Sequence, residues 1–413
     1  MLDEFFKIVG GDVKSNLFWA SIGAFIGFLM PKIFGLLSNP SISWYEKYRT
    51  SKTIQNLKVT EEELQVEVLS TANEPYKPDS IDVSPSGKSF YIAFPKERID
   101  ELEHVYKAEN KSFQEFFDIH DDTSFSEGSD FKEISKECEI TELPELIEEA
   151  RQSVADHFIN AKNGAYFNKG KYGVWDIKFT QRYGKKEERH LKISLYETDY
   201  FTHKVMRQVY KKVHNKYIFP SDVDVEYLHK YRAFLTSFGV NALVMLNDKK
   251  RGNIIILSER SILASETNQT NTYHITMNEG LNQDDIDNYE GKIRISNCLE
   301  RGLWEELGLD NDIYAQKMTS EFHDLFLVRN VFEVGISASV FIDKMNFSEL
   351  HSRAQIAKDK KLEIGKLVPI NLKKNEIEKF LLKNNFIPYS RYIISRICAR
   401  KKIFLNEENI IKR

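Results

Sequence analysis

The sequence predicts an α+β protein with an N-terminal transmembrane helix, a middle α/β region and a C-terminal α/β/α sandwich with a mixed sheet. Three observations predict this fold class. Residues 17–37 form a long apolar run, residues 61–221 combine strand-like and helix-like spacing, and residues 222–413 place apolar strands between amphipathic helices. A chain of 413 residues is also too long for one ordinary domain, so two soluble domains are expected.

Residues 16–37 are predicted to cross a membrane once, after a short tail at residues 1–15. The run LFWASIGAFIGFLMPKIFGLL has no acidic residue, and ~21 residues of helix would cover about 32 Å. Its only base, Lys32, lies near the C-terminal end, where it can reach the headgroups, and Pro31 would kink or end the helix there. Because Pro31 can shorten the span, an amphipathic or re-entrant segment is the alternative.

The basic residues around this run predict its orientation. More of them follow the run than precede it, with Lys47, Arg49, Lys52 and Lys58 against Lys7 and Lys14. Cytoplasmic flanks carry the excess of lysine and arginine in membrane proteins. We therefore expect the N-terminus outside and the body, which follows a linker at residues 38–60, in the cytoplasm.

Two glycines in the apolar run, Gly23 and Gly27, have GxxxG spacing. Small residues at this spacing let two membrane helices approach closely, so packing of two helices and a homo-oligomer are expected. The alternative interpretation is that glycine is simply frequent in membrane helices.

The composition of the chain bounds its partners. A formal net charge of −4 gives no support for binding a DNA or RNA polymer, whereas a small anionic ligand in a local pocket is compatible with it. The three cysteines, Cys138, Cys298 and Cys398, are far apart and lack metal-site spacing. Neither a disulfide framework nor a zinc site is therefore indicated.

The middle region, residues 61–221, is predicted to contain strands and helices. The strands are residues 64–69, 89–94, 173–180 and 190–196, and the helices are residues 98–109, 143–161 and 199–213. The acidic segment at residues 118–130 is interpreted as a solvated loop, with a metal site as the alternative. The helix at residues 199–213 has a basic side that is solvated or contacts anionic lipid or nucleotide phosphate; it is formed by Lys204, Arg207, Lys211 and Lys212.

Residues 222–413 open with two apolar strands, FLTSFGVNALVML and NIIILSERS, joined by the turn-rich segment NDKKRG. The strand YHITMNEGL and an amphipathic helix follow. Ser296 is the expected N-cap of this helix and Gly308 its C-terminal glycine. The remaining segments predict two strands, a helix, a further strand and two terminal helices.

Within that helix, RGLWEELGL at residues 301–309 resembles the Nudix box, whose core reads Arg-Glu-aliphatic-any-Glu-Glu-any-Gly-aliphatic. The matching residues are Arg301, Leu303, Glu305, Glu306, Gly308 and Leu309. Gly302 stands where the box has its first glutamate, and Asp287 and Ile293 stand where the family has an upstream glycine and glutamate. The box is therefore degenerate.

In Nudix hydrolases the box glutamates bind Mg²⁺ or Mn²⁺, which activates the water that cleaves a diphosphate linkage. Positions 302, 305 and 306 share one face of a helix, and that face keeps two carboxylates of three here. The resemblance thus implies that Glu305 and Glu306 could hold one Mg²⁺. No catalytic residue is assigned and no cofactor is required.

The combination of the membrane run, LKISLYETDYFTHKV, FLTSFGVNALVML, YHITMNEGL and the glycine-substituted box resembles the SMODS-associated Nudix family, over about residues 172–413. This resemblance implies a Nudix-like domain at residues 222–413. It also implies a membrane effector of a bacterial antiphage cyclic-oligonucleotide (CBASS) system. The domain would sense a cyclic oligonucleotide from a CD-NTase and oligomerise, and the inner membrane would then be disrupted, leading to cell death.

The expected ligand-binding residues follow the strands or lie in the box, and they are Arg260, Asn278, Glu279, Arg301, Glu305 and Glu306. Arg301 could pair with phosphate, or it could form an i, i+4 salt bridge with Glu305. Because Gly302 removes one metal ligand, binding without turnover is expected. The alternative function is a membrane-tethered Nudix hydrolase of a nucleoside diphosphate derivative.

Overall fold

A computed structural model of the chain describes the following residues: 64–71, 74–77, 80–126, 128–160, 167–180, 190–214, 225–260, 272–287, 292–310, 318–358 and 364–411. All of them belong to one compact unit. The predicted tail, membrane helix and linker at residues 1–60, including Gly23 and Gly27, lie outside the described residues. Within the part of the chain that is described, no helix has the length and apolar character needed to cross a bilayer.

The described strands form two sheets. In chain order they are β1 (Val66–Ser70), β2 (Ile81–Ser89), β3 (Gly170–Thr180), β4 (His190–Asp199), β5 (Phe238–Asp248), β6 (Gly252–Arg260), β7 (Thr272–His274), β8 (Met277–Gly280), β9 (Met318–Val328), β10 (Glu333–Ile342), β11 (Ile364–Asn371) and β12 (Asn385–Phe386). The larger sheet has the order β1-β9-β10-β5-β6-β7-β12, with β11 also paired to β6 and β8 to β5. The smaller sheet has the order β2-β4-β3.

The described α-helices connect and cover these sheets. They are α1 (Ile99–Ala108), α2 (Phe113–Phe116), α3 (Lys132–Cys138), α4 (Leu143–Ile159), α5 (Tyr200–Val213), α6 (Val225–Lys230), α7 (Ile295–Leu307), α8 (Phe347–Ala354), α9 (Lys374–Lys383), α10 (Pro388–Arg400) and α11 (Glu407–Ile410). The three helices predicted in the middle region are confirmed as α1, α4 and α5. Asp199 caps α5 because its carboxylate accepts a hydrogen bond from the Thr202 amide at 2.7 Å.

The larger sheet is mixed and carries a helix on each face, which confirms the α+β class. Strands β5 and β10 run parallel, whereas β5 is antiparallel to both β6 and β8. Successive residues of β5 point to opposite faces. Val240 and Val244 pack in the cluster that contains Leu303 of α7, and Leu243 packs in the cluster that contains Ile394 of α10.

The smaller sheet shares the α7-side core of the larger one. Ile193 of β4, Val205 of α5 and Val240 of β5 belong to a single cluster of buried side chains. Strand β1, at the start of the middle region, pairs with β9 and so lies in the larger sheet. The smaller sheet and α5 therefore lie directly against the larger sheet, where they can line a common site.

The strand prediction for residues 89–94 is wrong. A strand, β2, does form, but it is Ile81–Ser89 and it includes Pro85. Proline is tolerated there because β2 is the edge strand of its sheet and the register shifts after Pro85. Residues 90–94 are buried, and the Phe90 and Tyr91 amides still donate to backbone carbonyls, those of Glu197 and Thr123. The next two amides bond to side chains of other elements instead: Ile92 donates to Thr202 at 2.9 Å and Ala93 to Asp122 at 2.7 Å.

The sequence YHITMNEGL does not form one strand. It forms β7, which pairs with β6, and β8, which pairs with β5. Thr276, between them, donates its hydroxyl to the Ile256 carbonyl at 2.5 Å and accepts from the Val244 amide at 2.8 Å. These bonds stand in for ladder bonds at the point where β5 changes partner from β8 to β6.

Candidate functional site

The helix that carries the box-like sequence is α7, hereafter the box helix. It begins at Ile295 with Arg294 as its N-cap, so the expected N-cap role of Ser296 is wrong. It ends at Leu307, and Gly308 follows with a φ of 65°, which confirms the C-terminal glycine. A Cβ at Gly308 would also lie 2.7 Å from the Arg353 carbonyl oxygen, so only glycine fits this position.

Arg301 is the centre of a buried ion-pair network. Its Nε and Nη2 each lie 2.9 Å from a carboxylate oxygen of Asp285, and Nη1 lies 2.8 Å from Glu279 Oε1. Nη2 also donates to the Gly280 carbonyl at 2.7 Å, and Nη1 lies 3.4 Å from Glu305 Oε2. The i, i+4 pairing considered for Arg301 is therefore present, and its guanidinium donors are engaged by the chain itself.

The charges of this network shift its pKa values. Burial alone would lower the pKa of Arg301, but the hydrogen bonds that it donates to Asp285 and the charge of Glu279 raise this pKa above its ordinary value. Burial raises the pKa of Glu279, and the Arg301 charge opposes that rise. The Arg301 guanidinium therefore stays charged beside the carboxylates of Asp285 and Glu279, with that of Glu305 nearby.

Gly302 lies where β8 approaches the box helix most closely. A Cβ on Gly302 would lie 2.7 Å from Met277 Sδ and 2.8 Å from Glu279 Cβ. The stem of Glu279 therefore fills the space that a side chain at position 302 would need. The carboxylate that the resemblance places on the helix is replaced, in this neighbourhood, by one from the strand.

Glu305 and Glu306 are both buried, and each has partners within the chain. Glu305 Oε1 lies 2.6 Å from Lys358 Nζ, and its other oxygen faces Arg301. Glu306 accepts a hydrogen bond from the Asn278 amide at 3.3 Å. Mg²⁺ needs several oxygen ligands in near-octahedral geometry. Because Arg301 and Lys358 occupy the Glu305 carboxylate and a Glu306 oxygen accepts from the Asn278 amide, the two box carboxylates as arranged do not fit a magnesium site.

Among the residues that the structure describes, no three His, Cys, Asp or Glu side chains are arranged to hold a metal ion. The acidic segment at residues 118–130 also has internal partners: Asp122 pairs with Arg151 at 2.9 Å and Asp118 with Lys169 at 2.8 Å. A surface cavity of about 410 Å³ adjoins Asp122 and Arg151, and most of its charged groups are paired: Arg151 with Asp122 and Glu148, and Lys96 with Asp121.

Asn278 and Arg260 do not join the Arg301 network. Asn278 is the neighbour of Glu279 on β8, so its side chain points to the opposite face of the sheet. There its amide donates to the Tyr389 hydroxyl at 2.8 Å. Burial raises the pKa of Tyr389 to about 12, and the charge of Arg260 opposes that rise. The predicted ligand-binding residues therefore divide between the two faces of the sheet.

The sequence interpretation missed Asp285 and Lys358, which both bind groups of the box helix. Asp285 had a local signal, since it ends a short 3₁₀ turn in which Asn282 and Asp285 cap one another. Lys358 had none, because it lies far from Glu305 in the sequence. Comparison with profiles of known protein families gives no match, and comparison with curated proteins gives none either. The function is accordingly argued from the geometry of this chain.

Proposed function

We propose that this protein is a nucleotide-gated membrane effector. Its C-terminal part binds a cyclic oligonucleotide from a CD-NTase without hydrolysing it, and residues 16–37 then act on the bacterial inner membrane. The observation that carries this proposal is the pairing of the Glu305 carboxylate of the box helix with both Arg301 and Lys358. Carboxylates neutralised by the chain's own cations are poor ligands for a catalytic metal but stable parts of a binding domain.

Crowding at Gly302 supports binding over hydrolysis. The missing glutamate cannot be accommodated without moving Met277 and Glu279, because a Cβ alone would come within 2.8 Å of both. A receptor gains from this loss, since a ligand that is not cleaved keeps the receptor occupied. The proposal therefore treats residues 222–413 as a Nudix-like domain that keeps the fold and has lost the chemistry.

The membrane step follows from multivalency. Ligand binding that joins the cytoplasmic bodies would raise the local concentration of residues 16–37 from several chains. Gly23 and Gly27 would then allow close packing of these segments, and their rearrangement would breach the bilayer. The N-terminus would lie outside and the body in the cytoplasm. A protein in this orientation could couple an intracellular signal to disruption of the membrane.

Leakage from liposomes tests the proposal. Full-length protein is reconstituted into dye-filled vesicles of bacterial lipid and mixed with cyclic dinucleotides and cyclic trinucleotides. We expect at least one of them to release the dye, and Gly23→Ile with Gly27→Ile to abolish the release without weakening nucleotide binding. Phe25→Ile is the control, because on a regular helix residue 25 lies opposite both glycines. A panel without any effect on leakage contradicts the proposal.

The second candidate function is the tethered Nudix hydrolase, which the closeness of Glu279 and Glu305 around Arg301 favours. The measurement is phosphate release from nucleoside diphosphate derivatives with Mg²⁺ present. Turnover that Glu306→Gln abolishes would establish the enzyme and replace the receptor proposal. We expect no turnover above the rate of the Glu306→Gln variant.

A further inference from the structure

The turn between β5 and β6 carries three consecutive basic residues at one end of the larger sheet. Asp248 pairs with Gly252 across this hairpin, and Gly252 has a φ of 75°, which glycine adopts without strain. One oxygen of the Asp248 carboxylate accepts hydrogen bonds from the Lys250 and Arg251 amides, at 2.8 and 2.9 Å. The other oxygen accepts from the Phe347 amide, at the start of α8, at 2.8 Å. The turn is therefore held by its own hydrogen bonds and is tied to α8.

Four basic side chains at this end have no anionic partner in the described part of the chain. The Arg251 guanidinium lies 5.8 Å from the ring centroid of Phe347, and Lys344 follows β10, whose end pairs with that of β5. Asp343 and Glu349 flank these bases in the sequence, and neither forms an ion pair with them among the described residues. We call the four exposed bases the basic tip, and they are Lys249, Lys250, Arg251 and Lys344.

Two exposed apolar side chains lie beyond the other end of α8. Ile356 is 85% exposed and Trp304, on the box helix, is 49% exposed. The Ile356 amide donates to the Arg353 carbonyl at 3.0 Å, and the same carbonyl oxygen lies 2.7 Å from the Cβ position of Gly308, where the box helix ends. The Lys358 ammonium lies 5.8 Å from the Trp304 ring centroid. Both apolar side chains therefore lie near the point where α8 and the box helix end.

Helix α8 connects the basic tip with these two apolar side chains. Phe347 begins α8 beside the tip, and Ile356 follows its last turn, which is about 14 Å away along a helix. Unpaired bases beside an exposed tryptophan and an exposed aliphatic side chain are typical of surfaces that lie at a membrane interface. There the bases contact lipid phosphates, and the tryptophan lies among the headgroups.

A bilayer fits this surface better than a second copy of the chain does. Stable protein interfaces have about 20–30 residues a side around an apolar core, whereas two large apolar side chains are exposed here. The chain can also bring the surface to a bilayer. Residues 38–65, between the predicted span and β1, can extend to about 95 Å, while the basic tip lies about 30 Å from β1 along β10.

We propose that the basic tip, Trp304 and Ile356 dock on the anionic surface of the inner membrane. The bases contact lipid phosphates, and the two apolar side chains enter the headgroup layer. This inference rests on the proposed function, because residues 16–37 are what bring the body to the bilayer. A docked body is confined to a thin layer beside the membrane, which raises the concentration at which several bodies meet.

Quenching of Trp304 fluorescence by brominated lipid tests the docking. The full-length reporter carries Trp19→Phe, Trp44→Phe and Trp175→Phe, so that Trp304 is its only tryptophan. It is reconstituted into vesicles of brominated phosphatidylcholine with or without phosphatidylglycerol. We expect quenching of Trp304 with phosphatidylglycerol and none without it. A second reporter, which keeps only Trp175 of the smaller sheet, should not be quenched in either vesicle.

Charge variants of the Trp304 reporter identify the contact. Lys249→Gln with Lys250→Gln should lower the ratio of docked to free bodies about 25-fold, because each base near an anionic leaflet contributes about fivefold. Lys379→Gln with Lys383→Gln removes the same charge from exposed positions of α9 and should leave the quenching unchanged. Both double variants should keep the thermal midpoint of the reporter, since all four lysines are exposed.

Quenching that is equal in the two vesicles, or that survives Lys249→Gln with Lys250→Gln, overturns the docking proposal. A blue shift of Trp304 emission that grows with protein concentration in detergent assigns the surface to a second copy and overturns it as well. If a cyclic nucleotide causes leakage while Trp304 stays unquenched, the docking fails and the proposed function stands. If Trp304 is quenched as expected while no cyclic nucleotide causes leakage, the docking stands and the proposed function fails.

Discussion

Three histidines are buried in their neutral form and make the stability of the chain sensitive to acid. Burial, and then the charge of Arg260, lower the pKa of His274 to about 3. Burial and the Arg400 charge lower that of His323 to about 3 as well. Burial, followed by the charge of Lys171, lowers the pKa of His203 well below its ordinary value. All three therefore resist protonation in the folded state.

We expect the free energy of unfolding to fall as the pH falls below about 6.5, the ordinary histidine pKa. Between this value and the lowered pKa, the unfolded chain binds protons that the folded chain does not, which favours unfolding. Each histidine contributes up to about 1.4 kcal/mol per pH unit. The measurement is the thermal midpoint from pH 7.5 to pH 4.5. His323→Gln should flatten this dependence and the exposed His351→Gln should not; equal slopes for the two variants would contradict the assignment.

At the residue scale, the sequence predicted local pairs and missed distant ones. The Arg301 and Glu305 pair follows from helical spacing, and Gly308 from the left-handed end of the helix. The roles of Glu279 and Lys358 could not be predicted, because each depends on which strand or loop packs beside the box helix.

At the element scale, the packing of β8 against the box helix makes a prediction about Gly302. At an exposed position inside a helix, replacing glycine by alanine raises the free energy of unfolding by about 1 kcal/mol. Here the added Cβ would meet Met277 Sδ at 2.7 Å, so we expect Gly302→Ala to lower the free energy of unfolding by about 1–3 kcal/mol. Gly302→Glu, which restores the box residue, should lower it further and should not produce Mg²⁺-dependent hydrolysis. Chemical denaturation and phosphate release measure the two effects.

Gly280→Ala is the matched control for that experiment. Its added Cβ would meet the Lys171 ammonium at 2.8 Å, and the end of a flexible side chain can move aside at little cost. We expect Gly280→Ala to change the free energy of unfolding by less than Gly302→Ala does. Stabilisation by Gly302→Ala would show that the helix and strand can separate, and it would reopen the hydrolase alternative.

The elements that the sequence predicted well are those with long and regular patterns. The apolar runs of β5 and β6 and the helical spacing of α4 and α5 each allow one interpretation. The boundaries of β2, β7 and β8 were missed because tertiary contacts set them. Pro85 suits an edge strand, and Thr276 divides one apparent strand in two. Local periodicity shows neither that β2 lies at the edge of a sheet nor that Thr276 separates two strands.

At the scale of the whole molecule, the middle region and the larger sheet are tied together by shared packing. The ring of Tyr210 in α5 packs against that of Phe332, with ring centroids 5.1 Å apart, and its hydroxyl donates to the Arg329 carbonyl. Strand β1 extends the larger sheet beside β9. A ligand that binds to either region would therefore bear on both at once, which suits a receptor whose whole body must respond to one ligand.

This shared core predicts that the described body unfolds in one step. Trp175 packs in the smaller sheet, where the Arg232 guanidinium lies 4.0 Å from its ring centroid, and Trp304 lies on the box helix. Two full-length variants carry Trp19→Phe and Trp44→Phe, one with Trp304→Phe and the other with Trp175→Phe, so that each keeps one reporter.

In both variants we expect the fluorescence midpoint to coincide with the circular dichroism midpoint, as a two-state transition requires. The two midpoints are compared within each variant. A change in stability caused by the tryptophan substitutions moves both midpoints together and does not affect this comparison. A Trp175 midpoint that departs from its circular dichroism midpoint while the Trp304 midpoint does not would show that the two regions unfold independently, and the shared packing would then not couple them.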